Sequence, residues 1–123
     1  MESEEKVTIL TLGPLTNIAL LISTFPEVKE KIQEIVTMGG STERGNIGIY
    51  GEFNVTIDPE AAKIVFRSGI PITMVGLDIG RKARLTVEDL EKLEESGETG
   101  RMISSLFRSY DGGHVEEGVK MYD

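Results

Sequence analysis

The sequence predicts an α/β fold in which a mostly parallel sheet is flanked by helices. Three apolar segments have the composition of strands, and helical segments separate them. Each strand segment is continuously apolar rather than alternating, as in strands buried on both faces of a parallel sheet. The 123 residues suit one domain. Three strands make a thin sheet with costly open edges. We therefore expect residues 1–123 to form a single, incomplete domain, which is either a piece of a larger protein or a subunit that covers its edges by association.

The first predicted strand runs from Val7 to Leu12 and is β-branched and apolar. Gly13 interrupts it, and Pro14 suits a helix start because its missing N–H would be unpaired there anyway. Apolar residues then recur at helical spacing from Leu15 to Phe25, which predicts the first helix.

A short charged helix is predicted from Glu27 to Gln33, with Val28 and Ile32 on its inner side. The second strand, Glu34 to Met38, follows and ends at two glycines. Residues 39–51 hold five of the fourteen glycines without a helical period, which predicts a loop that is long for an α/β fold.

Asp58 and Pro59 predict the next helix, since Asp58 can cap it and Pro59 fits its first turn. We expect this helix, Pro59 to Arg67, to bury three residues, namely Ala62, Ile64 and Val65. The third strand runs from Ile72 to Leu77.

Thr86 and Asp89 resemble a capping box and predict a helix to about Glu95. The spacing of four apolar residues predicts one further helix: Met102, Ile103, Leu106 and Phe107. No element is assigned to residues 111–123.

The charge balance excludes several classes of protein. Thirteen Lys plus Arg against 21 Asp plus Glu give a formal net charge of −8, which would repel nucleic acid and anionic membranes. The absence of cysteine excludes disulfides and thiolate metal sites and fits a reducing compartment. No apolar run approaches the roughly 18 residues of a membrane span. We expect a cytoplasmic protein that binds neither nucleic acid nor membrane.

Ligands of open parallel sheets bind beyond the carboxyl ends of the strands, so the polar residues there are candidates. The glycine-rich loop matches neither a dinucleotide-binding nor a Walker A pattern, which argues against a phosphate site. Glu52 and Asn54, at the end of this loop, are two residues apart; in extended chain they face the same way and suit adjacent sugar hydroxyls. Asp78 either caps the following turn or binds a ligand.

Other polar residues have simpler interpretations. Thr16 and Asn17 lie near a helix start, where capping or exposure to solvent explains them. His114, the sole histidine, is expected on the surface. The basic run from Arg81 to Arg84 is expected to pair with acidic neighbours.

Six motifs have an order and spacing that resemble the inosine-uridine preferring nucleoside hydrolases. The motifs are Leu12-Gly13-Pro14-Leu15-Thr16-Asn17-Ile18-Ala19, Ile35-Val36-Thr37-Met38-Gly39-Gly40, Gly45-Asn46, Glu52-Phe53-Asn54, Asp58-Pro59-Glu60-Ala61-Ala62 and Val75-Gly76-Leu77-Asp78. The resemblance extends from about Val7 to Asp123, and linked motifs are more specific than any one alone.

The resemblance implies an open, Rossmann-like α/β fold and a Ca²⁺-dependent N-ribohydrolase. Such an enzyme cleaves the N-glycosidic bond of a purine or pyrimidine ribonucleoside to ribose and free base. In the family, calcium binds the ribose 2′ and 3′ hydroxyls and the attacking water, and an Asp takes the water's proton. Calcium suits this role because it accepts six to eight hard oxygen ligands in loose geometry.

The resemblance also implies roles for individual residues. Glu52 and Asn54 are similar to the residues that bind ribose hydroxyls, and Asn46 to the residue that reaches the 5′-hydroxyl. Leu12 resembles a residue whose backbone carbonyl coordinates calcium, and Asp123 resembles the C-terminal Asp ligand of that ion.

Two features depart from the family pattern. The 123 residues contain no segment of the form D-x-D-x-G-x-D-D, which in the family supplies most calcium ligands and the general base. We therefore expect calcium binding to be weak or absent in this chain. Tyr122 stands where many members have a His that protonates the leaving base; an aromatic residue there stacks on a purine in other members.

These features lead to three hypotheses. The first is a central segment of a nucleoside hydrolase that has no more than trace activity alone. The second is a non-catalytic remnant that folds by self-association, which implies a homo-oligomer. The third is a ribose- or nucleoside-binding module.

Overall fold

A computed structural model describes residues 5–110 and 118–120. His114, Tyr122 and Asp123 lie outside these described residues. The chain divides into two compact units, Met1–Asp78 and Ile79–Asp123. The single domain expected from the length stays a prediction.

The first unit contains a three-stranded parallel sheet. Its strands are β1 (Val7–Thr11), β2 (Ile32–Met38) and β3 (Ile72–Val75), in the order β1-β2-β3. The two crossovers contain helices, as is usual between parallel strands. The predicted α/β class with a mostly parallel sheet is therefore confirmed.

Four helical segments accompany this sheet, and two of them differ from expectation. They are α1 (Thr16–Thr24), a 3₁₀ helix (Pro26–Lys31), α2 (Phe53–Thr56) and α3 (Pro59–Phe66). The expected helical position of Ile32 is wrong, because this residue begins β2, although it is buried. The four-residue α2 was missed because it is too short to show a helical period.

The core of this unit lies on one face of the sheet. Ten buried residues form a continuous cluster: Leu15, Ala19, Ile22, Val28, Ile32, Ile35, Ala61, Ala62, Val65 and Ile70. The expectation that α3 buries Ile64 is wrong, since this side chain is 45% exposed. At helical spacing Ile64 falls outside the arc that Ala61, Ala62 and Val65 share.

The expectation that each strand is buried on both faces is also wrong. Burial alternates along β1, where Leu10 is 64% exposed while its neighbour Ile9 packs against the core. Val75 of β3 is 37% exposed. The buried helix residues join a single cluster with Ile9 and Ile35, so among residues 5–78 the opposite face has no comparable cover.

The second unit is mainly helical. Helix α4 (Leu77–Lys82) crosses the boundary between the units, and the other elements are β4 (Arg84–Leu85), α5 (Val87–Glu95), α6 (Glu98–Tyr110) and β5 (Val119–Lys120). Strands β4 and β5 pair antiparallel. Leu77 begins α4, so the predicted end of the third strand is two residues too late.

Helices α5 and α6 form as predicted, and side chains fix them locally. Thr86 caps α5 through the Asp89 N–H, and Asp89 accepts from the Thr86 N–H at 2.9 Å, which completes the predicted capping box. Glu94 of α5 accepts from the Ser104 hydroxyl at 2.7 Å and from Arg108 Nε at 3.0 Å on α6. Within residues 5–110 and 118–120, no helix combines the length and apolar character of a membrane span.

Candidate functional site

Glu52 is buried at the carboxyl end of the sheet and organises the backbone around it. Only 3% of its surface is exposed. Its carboxylate accepts hydrogen bonds from the N–H groups of Gly40 at 2.8 Å, Asn54 at 2.9 Å and Val55 at 3.2 Å. Glu52 is thus the N-cap of α2 and also binds the turn that follows β2.

Of the two glycines after β2, only Gly40 is required by its surroundings. A Cβ on Gly39 would make ordinary contacts, at 3.4 Å from Val55 Cγ2 and 3.5 Å from Glu52 Oε2. Gly40 has φ of +70°, and a Cβ there would lie 2.9 Å from Met74 Sδ. Glycine therefore serves at position 40 both for its backbone conformation and for space.

Asn54 joins the ends of β1 and β2. Asn54 is only 4% exposed. Its Nδ2 donates to the Met38 carbonyl at 3.2 Å and to the Leu12 carbonyl at 3.5 Å. The extended geometry assumed for Glu52 and Asn54 is wrong, because Asn54 lies in the first turn of α2. The cap of that helix, rather than strand alternation, brings the two side chains to the same end of the sheet.

Asn46 lies beside this pair. Its Oδ1 accepts from the Phe53 N–H at 2.9 Å, and its own N–H donates to the Gly51 carbonyl at 2.8 Å. A bridge between Ile47 and Gly51 closes the end of the glycine-rich loop. Asn46 is an exposed residue whose amide oxygen is held by the Phe53 N–H.

The structure therefore brings four predicted site residues together. Leu12, Asn46, Glu52 and Asn54 are connected through side-chain hydrogen bonds to one another or to adjacent backbone. Asn46 lies in the predicted loop, and Glu52 and Asn54 follow it directly. The Asn54 side chain is hydrogen-bonded to the carboxyl ends of β1 and β2. Tyr122 and Asp123 are not among the described residues.

The described residues do not by themselves fit a calcium ion. Leu12 offers one carbonyl oxygen, which receives only the long contact from Asn54. Within residues 5–110 and 118–120, no three His, Cys, Asp or Glu side chains converge as a metal site would require. Calcium needs six to eight oxygens, so one carbonyl is insufficient.

Asp78 has a local structural role. Its Oδ1 accepts from the Thr42 N–H at 3.1 Å, and the residue is 7% exposed in the first turn of α4. Asp78 thereby ties the glycine-rich loop to the segment after β3. This bond gives Asp78 a structural role that neither interpretation named, and capping of the following turn and ligand binding both stay predictions.

A bond between Thr16 and Asp58 was missed from the sequence. The interpretation of Thr16 as a cap of its own helix is wrong, because α1 has no side-chain cap. Instead, the Thr16 hydroxyl donates to Asp58 Oδ2 at 2.5 Å, while Asp58 Oδ1 accepts from the Ala61 N–H at 3.0 Å and caps α3 as predicted. Both bonds lower the pKa of Asp58, and the bond from Thr16 has the larger effect.

Comparison with known proteins identifies the family. Residues 1–123 match the family model described as inosine-uridine preferring nucleoside hydrolase. Curated relatives include the non-specific ribonucleoside hydrolases RihC of Escherichia coli O7:K1 and Shigella sonnei. Each is 50% identical over the whole chain, which spans 40% of the relative's length.

Solved structures agree with this match. The purine-preferring ribonucleoside hydrolase from Gardnerella vaginalis has a TM-score of 0.81 and 33% identity, over 94% of this chain and 39% of that one. A plant nucleoside hydrolase, PpNRh1, has a TM-score of 0.79 and 36% identity, over 87% and 34%. The family match, which covers the full chain, and these similarities confirm the resemblance. This chain belongs to the inosine-uridine preferring nucleoside hydrolase family.

Proposed function

We propose that this chain carries the ribose-binding part of a nucleoside N-ribohydrolase. The reaction breaks the N-glycosidic bond of a ribonucleoside and adds water across it, which releases ribose and the free base. The observation that supports this function is the buried Glu52–Asn54 pair at the carboxyl ends of β1 and β2, with Asn46 beside it.

We assign the ribose hydroxyls to Asn46, Glu52 and Asn54. Glu52 uses three of the roughly four acceptor positions of a carboxylate on backbone N–H groups, which leaves capacity for a hydroxyl donor. Asn46 is an exposed residue, and its amide oxygen is already held by the Phe53 N–H. Fixed donors and acceptors of this kind suit a sugar, because their orientation is set before the ligand arrives.

The remaining assignments follow the family. We propose calcium as the ion, with the Leu12 carbonyl and Asp123 as this chain's contributions, and a cytoplasmic protein of nucleoside salvage. The described residues do not complete a calcium site. Tyr122 is proposed to stack on a purine, which agrees with the purine preference named for the Gardnerella vaginalis enzyme.

Two measurements on the purified 123-residue chain test this function. Ribose or inosine, with calcium chloride present, should raise the melting temperature of the chain, because a ligand that binds only the folded state stabilises it. Asn54→Ala should abolish the shift, whereas Asn17→Ala, an exposed asparagine on α1, should retain it. No shift at saturating ribose and inosine would contradict the proposal.

Hydrolysis by the same chain is expected to be at most a trace. The 123 residues contain no D-x-D-x-G-x-D-D segment, so they offer no counterpart to the family's general base. Release of ribose from inosine or uridine should therefore stay near the uncatalysed background. Rates similar to those of a complete family member would overturn this expectation.

A second candidate, self-association without catalysis, is favoured by the exposed face of the sheet. Leu10 is 64% exposed, and in the parallel register it lies beside Val36. The outer edges of β1 and β3 have no strand partner among the described residues. Analytical ultracentrifugation should then give a homo-oligomer that Leu10→Glu weakens. A stable monomer with a cooperative melting transition would contradict self-association.

A further inference from the structure

We propose that Thr16 and Asp58 are positioning residues that hold the Asn54 amide against the Leu12 carbonyl. This inference rests on the proposed role of Asn54 in binding ribose. The Thr16–Asp58 and Asn54–Leu12 bonds each join residues 42 positions apart. The two bonds therefore connect the same two segments of chain, one at either end.

The two bonds differ in strength. Asn54 Nδ2 lies 3.5 Å from the Leu12 oxygen, at the outer limit of a hydrogen bond. The Thr16 hydroxyl lies 2.5 Å from an ionised acceptor, Asp58 Oδ2, and bonds of that kind are roughly twice as strong as neutral ones. The stronger bond is the one that can set the separation of the segments, and the weaker one responds to it.

Asp58 is itself held rigidly. Its other oxygen accepts from the Ala61 N–H at 3.0 Å and caps α3, so the carboxylate cannot turn to follow Thr16. Thr16 is likewise fixed as the first residue of α1. The bond between them consequently fixes the start of α1 relative to the start of α3.

Apolar packing between α1 and α3 does not replace this bond. Ala19, Ile22, Ala61 and Val65 share the core cluster and keep the helices together. Burial of apolar surface is non-directional, however, and tolerates small sliding of one helix along another. A chain without the Thr16–Asp58 bond should therefore fold, but with the Asn54 amide displaced from Leu12.

The test follows the side-chain amide of Asn54 by NMR in the ¹⁵N-labelled 123-residue chain, with the signal assigned by its loss in Asn54→Ser. Thr16→Val removes the hydroxyl and should shift this signal and speed its hydrogen exchange several-fold. Thr16→Ser keeps a hydroxyl, so the signal and its exchange rate should match those of the parent chain. Asp58→Ser keeps a capping oxygen but is too short to reach Thr16, so it should reproduce the effect of Thr16→Val.

Thr86→Val is the matched control. It removes the same kind of bond, the Thr86 hydroxyl to Asp89 Oδ2 at 2.7 Å, from the Ile79–Asp123 unit. The Asn54 signal should not move in this variant. If it moves as far as in Thr16→Val, the effect is a general loss of stability and the proposal is wrong.

Ribose affinity, measured by calorimetry with calcium present, separates this inference from the proposed function. A displaced Asn54 signal together with a several-fold loss of affinity in Thr16→Val supports the positioning role. The positioning role is overturned if the Asn54 signal stays in place in Thr16→Val and Asp58→Ser. It is also overturned if the signal moves in these variants but their affinity for ribose equals that of the parent chain. If the parent chain binds no ribose, the proposed function fails, and the Asn54 signal alone decides whether Thr16 positions that amide.

Discussion

The carboxylate of Glu52 accepts the Gly40 N–H at 2.8 Å and thereby ties the turn after β2 to the helix that carries Asn54. This one side chain caps α2, which follows the glycine-rich loop, and also accepts a hydrogen bond from the backbone at the start of that loop. The stability of the unit and the geometry of the proposed sugar site therefore depend on the same residue.

Replacement of Glu52 by Ala should destabilise the chain by about 2–4 kcal/mol. The helix cap is worth about 1 kcal/mol, and each buried N–H left unpaired costs about 1–3 kcal/mol. Urea unfolding would measure the change. Glu43→Ala, an exposed carboxylate in the same loop, is the control and should stay within about 0.5 kcal/mol of the parent. Equal effects of the two substitutions would contradict the role of Glu52.

Asn54→Asp should destabilise the fold at neutral pH and recover stability in acid. The new carboxylate would face the carbonyl oxygens of Met38 and Leu12, and this contact should cost about 2–4 kcal/mol when it is ionised. Its pKa in the folded state should rise, so the penalty is present at neutral pH and declines as pH falls through that raised pKa. Unfolding curves from pH 7 to 4 would test this. Asn17→Asp, exposed in the first turn of α1, is the control, since the helix dipole should slightly favour its ionised form and give the opposite pH dependence.

Gly40→Ala should cost more stability than Gly48→Ala. Both glycines have positive φ, +70° and +61°, so both substitutions incur about 1–2 kcal/mol of backbone strain. A Cβ at position 40 would also lie 2.9 Å from Met74 Sδ, whereas nothing lies within 4 Å at position 48. Because the Met74 side chain is flexible, the excess should be modest. Equal melting temperatures of the two variants would show that the space beside Met74 is unimportant.

The acid sensitivity of the chain should depend on Asp58. The Thr16 hydroxyl and then the Ala61 N–H lower the pKa of this carboxyl below its ordinary value of about 3.9. Because the folded-state pKa is the lower one, the stabilisation is fully present above the unfolded-state pKa and is lost as pH falls through the folded-state value. Thr16→Val should raise the pKa of Asp58 toward the ordinary value, and a ¹³C carboxyl titration would detect this rise. A rise of equal size in Thr86→Val would contradict the local cause.

Local patterns were sufficient for most of the long elements. The apolar segment around Val7, the Asp58-Pro59 start and the Thr86 capping box each depend on residues that are neighbours in the chain, and each predicted an element that forms. The shortest elements were missed, α2 with four residues and β4 and β5 with two each. Segments of that length form because tertiary contacts hold them, and they leave no period in the sequence.

The sequence by itself determined the family, the parallel α/β class and the identity of Asn46, Glu52 and Asn54 as candidates, because linked motifs and local periodicity are written in residue order. Only the tertiary structure decided that the Glu52 carboxylate accepts three backbone N–H groups and that the Thr16 hydroxyl donates to Asp58. It also decided that Leu10 of β1 and Val75 of β3 are exposed. These features depend on which distant segments meet, and a hydrogen bond across 42 residues has no counterpart in local spacing.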